Sequence, residues 1–267
     1  MLVTGKSAVY LMIADPVHHT KSPGLFNSLF EMEALDAIMV PVSFPVGQFD
    51  RVWAGFEAMS NLKGMIVSVP FKKLVFDACQ HSNVRAARVK SANAVLRQPD
   101  GSFLCDNFDG AGFVLGMQRT GHEIRGRKAL LIGAGGAGSS LAYCLAEEGA
   151  SELTITDVDT AKVEELAALV EAAFPACKVR AGLADPRGHE LIVNATPMGL
   201  RTDDPTPLDL DHLDASMTVV DIIMEPRETP LLERAIALGC KVQYGKHMME
   251  CQMDLLAEFL NVREAGV

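Results

Sequence analysis

The chain has 267 residues, 49% of them hydrophobic, and a net charge of −10, so it can fill the cores of two ordinary domains. The acidic balance and scattered basic residues argue against nucleic acid or an anionic membrane as a partner. No apolar run approaches the ~20 residues of a membrane span, and the N-terminus does not resemble a secretory signal. We expect a cytoplasmic protein with a small-molecule partner; a monomer and a homodimer both stay open.

The cysteines and histidines show no pattern of a metal site. The six cysteines contain no C-x-x-C pair and lie mostly in apolar runs, as small buried side chains do. His18 and His19 are adjacent and poorly placed to share one ion. We expect neither a metal nor disulfides.

In chain order, apolar runs alternate with stretches of helical period, which predicts an α/β fold with mainly parallel strands. The predicted strands are 8–13, 38–44, 65–69, 92–96, 103–104, 129–132, 152–156, 178–180, 191–193 and 219–222. The predicted helices are 22–32, 49–59, a stretch that follows Lys73, 113–119, a run that follows Gly138 and reaches Glu147, 160–172 and 248–260. A second domain begins near Gly110, and the polar loops after strand ends are expected ligand positions.

A glycine turn follows the strand Ala129–Ile132 and precedes a helix. Gly133, Gly135 and Gly138 have the spacing G-x-G-x-x-G, which permits a tight turn, close approach of a pyrophosphate and close helix packing. The free amides at the helix start would hold the phosphates. This predicts a dinucleotide site, although a tight turn in another kind of α/β protein has the same spacing.

An acid follows the next strand at a suitable distance. Asp157 lies 157 − 133 = 24 positions after the first glycine, close to the ~20 residues at which an acid binds the ribose hydroxyls. A carboxylate there repels a 2′-phosphate, so we predict NAD as cofactor, preferred over NADP. Alternatively, Asp157 caps the following helix, a role that Asp159 or Thr160 also suits.

Two charged residues after strand ends could handle protons. Lys72 follows the run MIVSV, and Asp109 closes CDNFDG. With a hydride acceptor nearby, a lysine and a carboxylate suffice to oxidise an alcohol to a ketone. The alternative is that Lys72 and Lys73 are solvated and that Asp109 caps a helix.

Five uncharged polar residues, three of them hydroxyl residues at the carboxyl ends of predicted strands, could bind a polyol or a carboxylate. They are Thr20, Ser22, Ser68, Asn93 and Gln252. Capping and turn roles are the alternative for each of them.

Eight segments together resemble the shikimate/quinate dehydrogenase family, in the family's order and over nearly the whole chain. They are HTKSPGLFN, VSVPFK, SANAV, CDNFDG, GAGGAG, NATPMG, DIIMEPRETPLL and YGKHMMECQ. The resemblance implies reversible hydride transfer between NAD and a ring hydroxyl of shikimate, quinate or a related cyclohexane carboxylate.

The resemblance also implies roles for individual residues and domains. Lys72 and Asp109 would be catalytic, and Thr20, Ser22, Ser68, Asn93 and Gln252 would bind the ring acid. The cofactor residues would be Gly133, Gly135, Gly136, Ala137, Asp157, Thr196, Met198, Met224, Gly245 and Met248. Residues 1–109 with 246–267 would form an open, mainly parallel α/β substrate domain, and residues 110–245 a Rossmann-type NAD domain, with the reaction in the cleft between them.

Several positions depart from the family pattern. Thr20 and Ser68 exchange one hydroxyl residue for another, whereas Ile66, Phe108 and Met224 replace polar groups by apolar ones, and Lys90 replaces a glycine. A buried substrate hydroxyl that loses its partner costs roughly 1–3 kcal/mol. The departures therefore leave a second hypothesis, a dinucleotide-binding or regulatory homologue that has lost catalysis.

Overall fold

The computed structural model describes residues 3–18, 20–201 and 203–263, so His19 of the histidine pair lies outside the described residues. The chain divides into two compact units, Met1–Phe108 with Met253–Val267, and Asp109–Gln252. The return to the first unit comes at Met253, later than the predicted boundary at 246. The ligand of each unit stays a prediction.

The first unit contains a six-stranded sheet in the order β2-β1-β3-β5-β6-β4. Its strands are β1 Ala8–Ile13, β2 Ala37–Val42, β3 Leu62–Val67, β4 His81–Ser82, β5 Ala94–Arg97 and β6 Phe103–Asp106. Its helices are α1 Ser22–Met32, α2 Phe49–Ala58, α3 Lys72–Ala78 and α4 Val84–Val89. Only β5 runs antiparallel to its neighbours in the described ladders, so β1, β3 and β6 end at the same edge of the sheet.

An apolar cluster covers each face of this sheet, and successive side chains of β1 alternate between the two clusters. Tyr10 and Met12 belong to one apolar cluster with Phe26 and Phe30 of α1. Leu11 and Ile13 point to the other cluster, which contains aromatic residues of α2 and the following segments. This explains why β1 reads as an unbroken apolar run.

The C-terminal residues complete the core of the first unit. Leu260 is fully buried, and its carbonyl accepts a hydrogen bond from the Tyr10 hydroxyl at 3.3 Å. A Cβ at Gly64 would lie 2.6 Å from Leu260 Cδ2 and 2.8 Å from the Val95 carbonyl oxygen. Gly64 in β3 is therefore required for close packing.

The second unit contains a parallel six-stranded sheet in the order β12-β11-β10-β7-β8-β9. Its strands are β7 Lys128–Ile132, β8 Glu152–Thr156, β9 Lys178–Ala181, β10 Leu191–Asn194, β11 Thr218–Asp221 and β12 Lys241–Gln243. The helices are α5 Asp109–Arg119, α6 Gly136–Glu147, α7 Thr160–Ala173, α8 Pro230–Leu238 and α9 Gly245–Phe259, the last of which ends in the first unit. The predicted α/β class is confirmed.

Four short elements were not predicted, and one strand was misplaced. The elements β4, α4, α8 and β12 lie in segments for which the sequence analysis predicts no helix or strand. Strand β3 begins at Leu62 and ends at Val67, rather than running over 65–69, because Lys63 and Gly64 hide the start of its apolar pattern. None of the described helices is long and apolar enough to cross a membrane.

Candidate functional site

The glycine loop connects β7 to α6 with very little space around its backbone. Gly133 has φ +107°, and a Cβ there would lie 2.9 Å from the Ala195 carbonyl oxygen. A Cβ at Gly138 would lie 2.0 Å from the Gly133 carbonyl oxygen, so helix and turn pack backbone to backbone. A Cβ at Gly135 would meet nothing within 4 Å, which leaves the loop open on that side.

A cavity of about 420 Å³ lies beside this loop within the second unit. Five predicted cofactor residues line it: Gly133, Gly135, Asp157, Thr196 and Met198. Gly136 and Ala137 form the first turn of α6, whose length of 12 residues gives its N-terminus a full dipole. The open loop and helix start fit the diphosphate of a dinucleotide. Met224, Gly245 and Met248 are not among the residues that line the cavity.

Asp157 has a role in holding the loop itself. Its carboxylate accepts hydrogen bonds from the Ala134 amide at 2.7 Å and the Asp159 amide at 3.0 Å. Asp159, rather than Asp157, caps α7 by accepting from the Lys162 amide. The acid at position 157 is thus explained by the fold of the loop, whether or not it contacts a ribose.

Asp109 and Gln252 are in direct contact. The Gln252 Nε2 donates to Asp109 Oδ1 at 2.7 Å, and the two residues are only 8% and 4% exposed, respectively. A Cβ at Gly112 would lie 2.8 Å from Gln252 Cβ, so the glycine allows α9 to approach α5. Asp109 lies in the first turn of α5, and a charge-assisted hydrogen bond fixes its carboxylate there.

Lys72 and Lys73 begin α3 in different environments. Lys73 is exposed, and its ammonium contacts Asp77 at 2.9 Å across one helical turn. Lys72 is partly buried, and its carbonyl accepts from the Ala92 amide at 3.0 Å. Of the two lysines, only Lys73 matches the solvated alternative.

The remaining predicted substrate residues gather at one edge of the first unit's sheet. Ser68 and Asn93 lie beside each other there, since the Val67 amide donates to the Asn93 carbonyl at 2.8 Å. Asn93 is buried, and its Oδ1 accepts from the Phe108 amide at 3.0 Å. Thr20 and Ser22 follow β1 at the same edge; the Thr20 hydroxyl donates to the Val17 carbonyl at 2.8 Å.

Two of the departures from the family pattern have a local packing reason. Ile66 and Phe108 are buried in an apolar cluster, and the Phe108 ring lies 5.3 Å from Phe259 and 4.6 Å from the Arg85 guanidinium. Lys90 ends α4 with φ +47°, a left-handed conformation that glycine adopts more easily.

Two polar residues of the second unit were not predicted. Asn194 and Asp221 are fully buried at the ends of β10 and β11, and Asn194 Nδ2 donates to Asp221 Oδ2 at 3.1 Å. The signal was a polar residue that closes each of the apolar runs LIVN and TVVD.

A family profile and curated sequences both match this chain. A family profile described as "Shikimate dehydrogenase substrate binding domain" matches residues 12–95. A curated shikimate dehydrogenase (NADP(+)) of Rhodospirillum rubrum is 34% identical over 254 residues, which cover 93% of this chain and 89% of the relative.

Solved structures agree with this assignment. The shikimate 5-dehydrogenase of Listeria monocytogenes in complex with shikimate and NAD superposes with a TM-score of 0.89 at 27% identity, covering 98% and 94% of the two chains. A shikimate dehydrogenase in complex with NADP⁺ superposes with a TM-score of 0.91 at 25% identity, covering 99% and 93%.

The relatives overturn the prediction of NAD as the preferred cofactor. Curated relatives are consistently named as NADP(+) enzymes, and one structural neighbour holds NADP⁺. The prediction was wrong because it rested on a ribose contact of Asp157, whereas this carboxylate accepts two backbone hydrogen bonds of the turn. The alternative role, the cap of the following helix, belongs to Asp159. The identity to curated relatives over most of the chain, together with the profile match, shows that the chain belongs to the shikimate dehydrogenase family of oxidoreductases.

Proposed function

We propose that the protein is an NADP-dependent shikimate dehydrogenase, which oxidises a ring CH–OH of shikimate to the ketone and catalyses the reverse reduction. The observation that carries this proposal is the cavity beside the glycine loop, with an open backbone and a helix N-terminus that suit a diphosphate. The choice of shikimate as substrate rests on the relatives, which are named as shikimate dehydrogenases.

The roles of the protein's own residues follow from their positions and from the family resemblance. The nicotinamide, when bound, accepts or supplies the hydride. Lys72 carries the proton of the reacting hydroxyl, and Asp109, fixed by Gln252, is the second catalytic group. Ser22, Ser68 and Asn93 bind the carboxylate and hydroxyls of the ring, because they can donate and accept hydrogen bonds.

Recognition of a 2′-phosphate needs a positive charge near the end of β8. The described residues that line the cavity include Asp157 but no lysine or arginine. Lys162 is the nearest basic residue along the chain, in the first turn of α7, and its exposed ammonium lies 3.2 Å from Asp159. We assign the 2′-phosphate contact to Lys162, after a change of its side-chain rotamer.

Steady-state absorbance of reduced nicotinamide tests the main proposal, with shikimate and quinate each offered NADP⁺ and NAD⁺. We expect turnover of shikimate, with kcat/KM larger for NADP⁺. Binding of NADP⁺ without turnover of either acid would contradict the proposal and favour the homologue that has lost catalysis.

A lysine substitution tests the phosphate contact. Lys162→Ala should raise the KM for NADP⁺ by about tenfold, since a charge-assisted hydrogen bond contributes roughly 1.5–3 kcal/mol when fully formed. Lys178→Ala, at the exposed start of β9, is the matched control and should leave this KM unchanged. Equal effects of the two changes would remove Lys162 from the phosphate site.

A further inference from the structure

The turn that carries Thr196 and Met198 depends on a buried polar network rather than on apolar packing alone. Thr196 donates to Asn194 Oδ1 twice, from its amide at 3.1 Å and from its hydroxyl at 2.7 Å. The Met198 amide donates to the Thr196 hydroxyl at 3.1 Å, and Asn194 Nδ2 donates to the Met198 carbonyl at 3.2 Å. Asn194 therefore determines the shape of this part of the cavity wall.

Asp221 in turn fixes the orientation of the Asn194 amide. The two residues are register partners on the neighbouring strands β10 and β11. Asp221 Oδ2 accepts from Asn194 Nδ2, which leaves Asn194 Oδ1 directed at Thr196. With an amide in place of the carboxylate, two NH₂ groups could face each other, and Asn194 would be free to flip.

The same carboxylate also holds a second segment. Asp221 accepts from the Thr229 hydroxyl at 2.8 Å and from the Ile223 amide at 3.0 Å. Thr229 caps α8, and a Cβ at Gly199 would lie 3.4 Å from Thr229 Cβ. A Cβ at Gly245 would lie 2.4 Å from the Ile223 carbonyl oxygen, so the start of α9 is packed against this segment.

A buried carboxylate is costly unless its hydrogen bonds are satisfied, and burial raises the pKa of Asp221. An apolar residue would close β11 at lower cost, yet the carboxylate joins the turn at Thr196 to the segment at Ile223 and Thr229. We infer that Asp221 is a positioning residue for the dinucleotide site: through Asn194 it holds the turn of Thr196 and Met198 in the wall of the cavity. This inference rests on the proposed function.

Substitution of Asp221 tests the inference by calorimetric titration with NADP⁺ and by steady-state kinetics. Asp221→Asn should raise the dissociation constant for NADP⁺ at least tenfold while changing the KM for shikimate less than twofold. The double variant D221N/N194D restores a donor and an acceptor between the two strands but not the donor to the Met198 carbonyl, so it should recover only part of the lost affinity. Equal binding by wild type and D221N would overturn the inference.

A matched control separates positioning from general loss of stability. Thr154 is also buried in the second unit, where its hydroxyl contacts Arg180 and His189. Thr154→Val should lower the unfolding temperature and leave NADP⁺ binding unchanged. If T154V weakens NADP⁺ binding as much as D221N does, the effect of D221N is one of stability and the inference fails.

Amide hydrogen exchange of the wild-type protein tests the inference without a variant, and therefore also if D221N does not fold. NADP⁺ should slow exchange at Ile223, whose amide donates to Asp221, as well as at Thr196 and Met198. Slower exchange at Thr196 and Met198 with no change at Ile223 would overturn the inference alone. Failure of the wild type to bind NADP⁺ would instead overturn the proposed function.

Discussion

Lys72 and Lys73 are neighbours in sequence but offer a sharp comparison at the scale of single residues. We expect Lys72→Ala to lower kcat by about 10²-fold or more, because proton transfer by a positioned side chain typically contributes 10²–10⁴-fold. Lys73→Ala removes an equal charge from the same helix turn, at an exposed ion pair of little energetic value.

The control should therefore retain kcat within about twofold, as exposed ion pairs contribute little. Steady-state kinetics at saturating shikimate measures both variants, and far-UV circular dichroism checks that α3 is intact. If K73A lost as much activity as K72A, the lysine pair would act through the charge or the fold of α3, and not through proton transfer by Lys72.

The sequence distinguishes such residues only in part. Residue type and position after a strand did not separate Lys72 from Lys73, and only the resemblance of VSVPFK to the family selected Lys72. The exposure of the two lysines depends on how α3 packs. Asp157 shows the limit more clearly, since its two backbone donors include Ala134, which lies far away in sequence. A carboxylate after a strand has several possible partners, and only the folded loop chooses among them.

At the scale of secondary structure, two glycines offer a prediction about stability. Gly64→Ala should lower the free energy of unfolding by about 1–3 kcal/mol, because its Cβ would overlap the Val95 carbonyl and Leu260. Gly55→Ala should instead raise it by about 0.5–1 kcal/mol, since Gly55 lies within α2 with nothing within 4 Å of a new Cβ.

Urea denaturation of both variants measures the two changes. Opposite signs are expected from the same chemical substitution. If both Gly64→Ala and Gly55→Ala lowered the free energy of unfolding, a side chain at Gly55 would disturb the packing of α2, and the prediction for Gly55 would be wrong.

The loop between β9 and β10 should show a dependence of stability on pH. The Arg187 side chain lowers the pKa of Asp185 to about 2 from 3.8. A depressed pKa in the folded state stabilises the protein above the unfolded pKa, and this contribution is lost as the pH falls from about 4 to about 2. Asp185→Asn should therefore lower the melting temperature clearly at pH 7 and much less at pH 2, where about half of the folded carboxyls are protonated.

Substitution of Arg187, which lowers the pKa of Asp185, should have the same effect as substitution of Asp185 itself. Arg187→Met is expected to lower the melting temperature at pH 7 and to change it much less at pH 2, measured by thermal circular dichroism. A difference between D185N and wild type that was the same at both pH values would show that the ion pair does not control the stability of this loop.

Helices and strands were predictable where the apolar pattern extended over several residues or where a capping residue or a proline marked an end. Strands β1 and β8 and helix α1 agree with their predicted bounds. Helix α8 could have been predicted as well, from Thr229 as a cap and Pro230 in the first turn. The two-residue strand β4 could not, because its existence depends on pairing with β6 and not on a pattern of its own.

At the scale of the whole molecule, the single tryptophan gives a probe of one unit. Trp53 is buried in the first unit, whereas the proposed NADP⁺ cavity lies in the second. Helix α9 begins in the second unit and ends in the first, so melting of either unit removes support from a shared helix. We expect tryptophan fluorescence and far-UV circular dichroism to report one common transition.

NADP⁺ should then shift both transitions together. At 100 times the dissociation constant, a ligand of the native state adds about 2.7 kcal/mol to the free energy of unfolding. Thermal scans with and without NADP⁺ measure the shift by both probes. A shift in circular dichroism without one in fluorescence would show that the two units unfold independently.

The position of Leu260 has a consequence for how the chain is made. Residues 109–252 leave the ribosome before Leu260, so the whole sequence of the second unit is available while the first still lacks the side chain that packs over Gly64. Packing of the first unit must wait for Leu260, although most of that unit is synthesised earlier. A chain that stopped just before Leu260 would lack the side chain that packs over Gly64 and would expose apolar core of the first unit, which chaperones and proteases recognise.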